Sequence, residues 1–114
     1  MSKPPDNIKK IWFTFAHGPL RCEMCGATYG LEAHHIVRRE LHIAWMPENA
    51  ILLCHDHHVA AHKDKPYFRW ALKGKWPERW KWVDDNENKT ATWDEVREAL
   101  LVAMVATVFQ ETEA

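Results

Sequence analysis

Apolar residues recur near the start of the chain with the period of a helix. Ile8, Ile11, Trp12 and Phe15 stand at i, i+3, i+4 and i+7, which lines one face of a helix with 3.6 residues per turn. The spacing predicts an amphipathic helix from Asp6 to about Ala16, with Asp6 or Asn7 able to cap it and Gly18-Pro19 closing it. Lys9 and Lys10 fall on its polar side, where a solvated face is a simpler account than phosphate contact. Further on, Gly26 and Gly30 precede an apolar-polar alternation from Leu31 that Ile36 and Val37 continue. This reads as a turn followed by a strand. Ile51-Leu52-Leu53 is a short buried run suited to the second strand of a hairpin.

The segment after Cys54 can turn into a helix. A helix is expected there, with Asp56 as a candidate cap. Lys63-Asp64-Lys65-Pro66 ends it, with Pro placed to begin another. Residues 66–82 interleave aromatic and basic side chains, which either stack bases and hold phosphates or close a small core under Lys and Arg stems. Arg69, Lys73, Lys75, Arg79 and Lys81 are the phosphate candidates on the first view. Residues 84–89 read as an acidic loop. Thr92-Trp93-Asp94-Glu95 is a capping box that opens a helix over residues 92–111. From Ala99 to Phe109 every residue except Thr107 is apolar. That is shorter than the roughly 20 residues needed to span a bilayer, so this helix is expected either to lie centrally or to meet a second copy in a homodimer.

Composition narrows the picture. At 114 residues, residues 1–114 are read as one α+β domain with a modest core that a metal staple would help. The net charge of −1 gives no overall nucleic-acid signal, yet it is unevenly spread. Residues 1–83 carry 13 Lys and Arg against 8 Asp and Glu, whereas residues 84–114 carry 2 against 8. A basic body with an acidic end is compatible with binding a duplex on one side. The polar start Met1-Ser2-Lys3-Pro4-Pro5 lacks the apolar core of a signal peptide, and cysteines at metal spacing suit a cytoplasmic protein.

The chemistry concentrates between Cys22 and His62, which hold all three cysteines and most of the eight histidines. Cys22-x2-Cys25 is a chelating turn, and Cys54-x2-His57 supplies a second pair. Together they make a tetrahedral Cys3His zinc site that uses every cysteine. A disulfide or redox pair is the competing account, but three cysteines cannot all pair within one chain. In a helix His58 and His62 lie at i and i+4 on one face, suited to a second ion, while His57 points about 100° away. His34 and His35, if extended, project to opposite sides of a strand, so one can bind metal while its neighbour serves as a base.

The order Cys-x2-Cys, His34-His35-Ile36, Asn49-x4-Cys54, x2-His57-His58-x3-His62 resembles the HNH endonucleases, the ββα-metal or His-Me finger nucleases, and most closely their small phage and prophage members. The resemblance covers about 41 residues, 22–62. It implies a ββα-metal core with its own zinc knuckle, flanked by N- and C-terminal helices. By the same resemblance His34, where many members have Asp, would be a catalytic metal ligand with His58 and His62. His35 would be the general base, and Asn49 would hold the loop that carries it. His57 stands where a fourth cysteine is common. Arg38 or Arg39, just past the base, is suited to hold a phosphate by its forked donors.

Three imidazoles favour Zn2+, Ni2+, Co2+ or Mn2+ over Mg2+. The expected activity is hydrolysis of phosphodiester bonds in DNA, chiefly double-stranded and with little sequence preference, in a host cytoplasm and alongside phage packaging or recombination proteins. A noncatalytic zinc module that binds nucleic acid is the alternative. Cys22-x2-Cys25 with His58-x3-His62 imitates a zinc finger, but 32 residues separate the pairs where a finger has about 12. A prophage remnant acting only as a structural partner is a third possibility, disfavoured because every position of the constellation is filled.

Overall fold

The computed structural model describes residues 3–113, with side chains described as far as Ala106. Met1 and Ser2, which open the polar start, and the side chains of residues 107–109 at the end of the apolar run lie outside that description. The described residues form an α+β structure of five helices and one two-stranded antiparallel sheet.

Helix α1 spans Asp6–Ala16 and buries Ile8 and Trp12, as the periodicity predicts. Its N-cap is Pro5, which has no side-chain cap, and Asn7 Oδ1 accepts from Ile8 N–H at 3.0 Å within the first turn. Strands β1, Leu31–His35, and β2, Ala50–Cys54, pair with Glu32 opposite Leu53 and His34 opposite Ile51. Alternation along the strands therefore gives Glu32 and His34 one face of the hairpin and His35 the other. Strand β1 stops at His35, two residues earlier than the pattern suggests. Ile36 and Val37 turn away because Asn49 takes their hydrogen bonds instead of a partner strand: Ile36 N–H donates to the Asn49 carbonyl and Val37 N–H to its side-chain oxygen.

Helix α2, His55–Lys63, follows β2 directly. Its N-cap is Cys54, so Asp56 lies inside the first turn, where its charge faces the positive end of the helix dipole rather than capping it. Helix α3, Lys65–Lys75, is capped by Asp64, whose side chain accepts from Tyr67 N–H at 3.1 Å. Helix α4, Pro77–Asn86, extends into residues expected to be loop. Lys81 pairs with Asp85 at 3.2 Å, and Asn86 donates to the Trp82 carbonyl at 2.8 Å. Such pairs one turn apart let an acidic stretch remain helical.

Helix α5, Trp93–Glu113, begins at the expected capping box: Glu95 N–H donates to Thr92 Oγ1 at 3.1 Å, and Thr92 N–H to Glu95 Oε1 at 3.2 Å. Two apolar clusters flank the hairpin. One joins the Cys22 and Cys54 knuckle to α2, α3 and α4 through Ile51, Leu53, Phe68, Leu72 and Val83. The other sets α1 against α5 through Ile8, Trp12, Trp45, Val96 and Leu100. A lone two-stranded hairpin is at best marginal in water, so packing on both faces is what holds the site residues still. Among the described side chains of helix α5, Val96 and Leu100 are buried while Leu101, Val102 and Val105 are exposed. Among the described residues no helix is long and apolar enough to cross a membrane.

Candidate metal centres

Two groups of ligand-type side chains converge, one at each end of the hairpin's turn into α2. Cys22, Cys25, Cys54 and His57 bring their ligand atoms within 4.8 Å of one another. Cys54 Sγ lies 3.3 Å and Cys22 Sγ 3.7 Å from His57 Nδ1, and the Cys25 and Cys54 sulfurs are 3.9 Å apart. A tetrahedral zinc with ordinary bond lengths has edges of roughly 3.5–3.8 Å between such atoms. The sulfurs are far beyond the ~2.05 Å of a disulfide, and all three cysteines are free. This group could hold a metal ion such as zinc.

The local chain explains the convergence. Gly26 N–H donates to the Cys22 carbonyl at 2.8 Å, and the positive φ of 80° at Gly26 then turns the chain so that the Ala27 carbonyl accepts from Cys22 N–H at 2.8 Å, which closes the Cys-x2-Cys loop. Burial alone would raise the Cys22 thiol. Hydrogen bonds from the backbone at Cys54, Cys25 and Met24 more than offset it and bring the pKa down to about 6, which prepares a thiolate ligand.

Helices α3 and α4 clamp the same loop from outside. Glu23 accepts from Leu52 N–H at 2.9 Å and from Arg79 at 3.1 Å, while Lys75 donates to the Glu23 and Met24 carbonyls at 3.2 and 3.0 Å. Lys75 and Arg79 also sit over the Trp76 ring. Arg69 pairs with Glu87 at 2.6 Å and Lys81 with Asp85. Of the five basic residues offered as phosphate contacts, four are thus committed within the protein, and only Lys73 has no such partner among the described residues. Trp76, Trp80 and Trp82 pack against the core, as the packing view of this segment has it.

The second group is His34, His58 and His62, again with ligand atoms within 4.8 Å of one another. His58 Nε2 and His62 Nε2 stand 3.2 Å apart, close to the ~3.3 Å edge expected between two imidazoles on one tetrahedral ion. The His34 ring meets both at 5.1 and 5.0 Å between centroids. His34 also carries a buried Nδ1 without a hydrogen-bond partner. Burial, with His58 and His62 beside it, pushes its pKa down to about 3, and burial and His58 lower that of His62. Both shifts favour the neutral form of His34 and His62, the form a metal ligand requires. The donor set fits a divalent transition ion.

Glu32 completes this group and escaped sequence reasoning. Its Oε1 accepts from His58 Nδ1 at 2.9 Å, and His55 Nδ1 approaches the same carboxylate at 3.4 Å. Donating Nδ1–H to a carboxylate leaves the Nε2 lone pair of His58 directed at the site. The two hydrogen bonds hold the Glu32 carboxyl below its usual range. The signal was present: Glu32 precedes His34 by two, so it shares that face of β1, and His55, His58 and His62 form one stripe of α2.

His35 projects to the opposite face, as expected. Its ring stacks on Trp12 at 3.8 Å and 5°, with Trp45 edge-on at 4.5 Å. The indoles are fixed by their own bonds, Trp12 Nε1 to the Met46 carbonyl and Trp45 Nε1 to the Arg39 carbonyl. Burial chiefly, then Arg39, pushes His35 down to about 3, so it too is neutral. Asn49 is fully buried and fastens the segment after His35. Its amide donates to the Val37 and Ala44 carbonyls at 3.0 and 2.8 Å and accepts from Val37 N–H at 2.7 Å.

His34, His35, His58 and His62 line one cleft of about 900 Å³ together with Arg38, Arg39, Lys65 and Arg69. His42 stacks on Trp93 at 3.9 Å, with Nδ1 3.1 Å from the Ala91 carbonyl. Compared with protein-family models, curated proteins and solved structures, the chain has no significant match.

Proposed function

We propose that this protein is a metal-dependent endonuclease or nickase of HNH type, with a ββα-metal core made by β1, β2 and α2, and that it hydrolyses phosphodiester bonds in double-stranded DNA with little sequence preference. The supporting observation is the meeting of three imidazoles, His34, His58 and His62, with a fourth, His35, in a cleft that also receives Arg38 and Arg39. Four histidines of this kind are more than a packed core needs, and two arginines make the cleft attractive to an anion.

A divalent ion on His34, His58 and His62 would supply Lewis-acid stabilisation of the phosphoryl and departing 3′-oxygens. The remaining work falls to the protein's own groups. His35, neutral and held flat against Trp12, accepts the proton of the attacking water. Its dry surroundings make it a weak base when the cleft is empty. The negative charge of an entering phosphodiester offsets burial and Arg39, raising its affinity for that proton. Arg38 and Arg39 bring forked donors to nonbridging oxygens. Asn49 fixes the backbone after His35, so the ring's position does not drift between encounters. Cys22, Cys25, Cys54 and His57, with structural zinc, brace the end of β2 from which α2 starts.

The test is a supercoiled-plasmid assay with added Mn2+, Ni2+, Co2+, Mg2+ or Zn2+. The wild type is expected to nick or linearise DNA with at least one ion, and His35→Ala to lower the rate by about 10²–10⁴-fold with fold and zinc content unchanged. A mutant cutting as fast as the wild type would remove His35 from its role.

A further inference from the structure

Helix α3 presents two different flanks. Phe68 and Leu72 are buried, and Lys65 and Arg69 line the cleft. On the far flank Tyr67 and Trp70 are 63% and 70% exposed, with ring centroids 5.9 Å apart and planes inclined at 34°. Their exposure sets them apart from Trp76, Trp80 and Trp82, which pack on the core. Lys73, one turn beyond Trp70, shares their flank. Lys63, Lys65 and Lys73 are exposed and have no ion-pair or hydrogen-bond partner among the described residues. Asp64, the one acid in the stretch 63–73, is engaged with Tyr67 N–H at the helix start.

We propose that Tyr67 and Trp70 form a stacking platform for unpaired nucleobases of a single strand whose phosphates are met by Lys63, Lys65 and Lys73. The inference rests on the nuclease reading for the identity of the polymer and adds a preference for DNA with unpaired bases beside the cleavage point. Large aromatic rings left in water beside uncompensated cations match what a single strand offers, bases with open π-faces on an anionic backbone. Lys65 joins the two flanks: it lines the cleft and stands at the first turn of the helix that carries the rings. A helix is about 10 Å across with its side chains, so a strand leaving the cleft reaches the platform within a few nucleotides. Paired bases hide their faces in the duplex stack and gain nothing there. The platform therefore distinguishes frayed, gapped or branched DNA from intact duplex.

The experiment measures equilibrium binding by fluorescence anisotropy without added divalent ion. The probes are a 12-nucleotide oligothymidylate, the same backbone made fully abasic, and a 12-base-pair duplex. For the wild type, oligothymidylate is expected to bind more tightly than its abasic counterpart. Trp70→Ala should weaken oligothymidylate by about tenfold, leave the abasic strand and duplex within twofold, and be rescued by Trp70→Phe. Lys73→Ala should weaken all three and flatten the salt dependence. Trp70 is exposed, so folding is expected to survive, with circular dichroism and zinc content as controls. Equal binding of oligothymidylate by wild type and Trp70→Ala, or an equal loss on all three probes, would overturn the platform. Neither result bears on plasmid cleavage and its dependence on His35, so the two proposals fail separately.

Discussion

The two ligand groups are built in opposite ways from neighbouring residues. Cys22, Cys25, Cys54 and His57 surround a point completely, with four ligands, a glycine-closed loop and a clamp from Glu23, Lys75 and Arg79. His34, His58 and His62 offer three ligand-type atoms in a cleft, and His62 is exposed. Four protein ligands leave an ion nothing to do but hold the chain together, whereas three leave positions for water or substrate. His57 and His58, adjacent in sequence, serve different groups because α2 turns them about 100° apart. One short helix thereby supplies ligand-type side chains to both groups, and under the proposed function it would carry both bracing and chemistry.

The sharpest way to break this contrast is to disable each group in turn. Cys22→Ser should release zinc and abolish the cooperative thermal transition, since structural zinc contributes on the order of 10 kcal/mol to folding in small domains. His58→Ala should keep zinc and fold, with stability within about 1 kcal/mol of wild type, yet lose the second ion and plasmid cleavage. Metal analysis and a thermal melt read both. Were His58→Ala to unfold the protein as Cys22→Ser does, the division of labour would collapse.

Asn49 gives the next largest effect. Removing its side chain strands a buried N–H and two buried carbonyls, each costing about 1–3 kcal/mol. Asn49→Ala should therefore lose roughly 3 kcal/mol in urea unfolding and slow cleavage, because His35 is no longer held. Unchanged stability would mean that the loop is secured some other way.

Glu32 sharpens the comparison at smaller scale. If it orients His58, Glu32→Ala should weaken the second ion by about 10–100-fold and leave the zinc untouched. Nitrogen chemical shifts of His58 without that ion should move from the Nδ1–H toward the Nε2–H tautomer. Both quantities staying at wild-type values would reduce the contact to a surface ion pair.

How far the sequence carries differs by element. The first helix, the hairpin, the Thr92 capping box, the Cys3His group and the His58–His62 pair follow from local signals, periodicity, glycines and i, i+4 or x2 spacing, whereas His34 joined its group only through the family resemblance. What failed depended on contacts distant in sequence. Strand β1 stops at His35 because Asn49, twelve residues past Val37, takes its hydrogen bonds. Helix α4 runs through Asp84 and Asp85, where composition suggests loop. Lys75 and Arg79 face the Cys22–Cys25 loop more than fifty residues away, and no pattern within residues 66–82 announces that. The same segment supplies core through Trp76 and surface through Trp70, so neither single account of it was sufficient.

The most direct measurement is native mass spectrometry of the Co2+- or Ni2+-loaded protein, which counts ions per chain. Two ions are predicted for the wild type and one, the zinc, for His62→Ala. A wild type that takes up a single ion, or a His62→Ala protein that still holds two, would contradict the account.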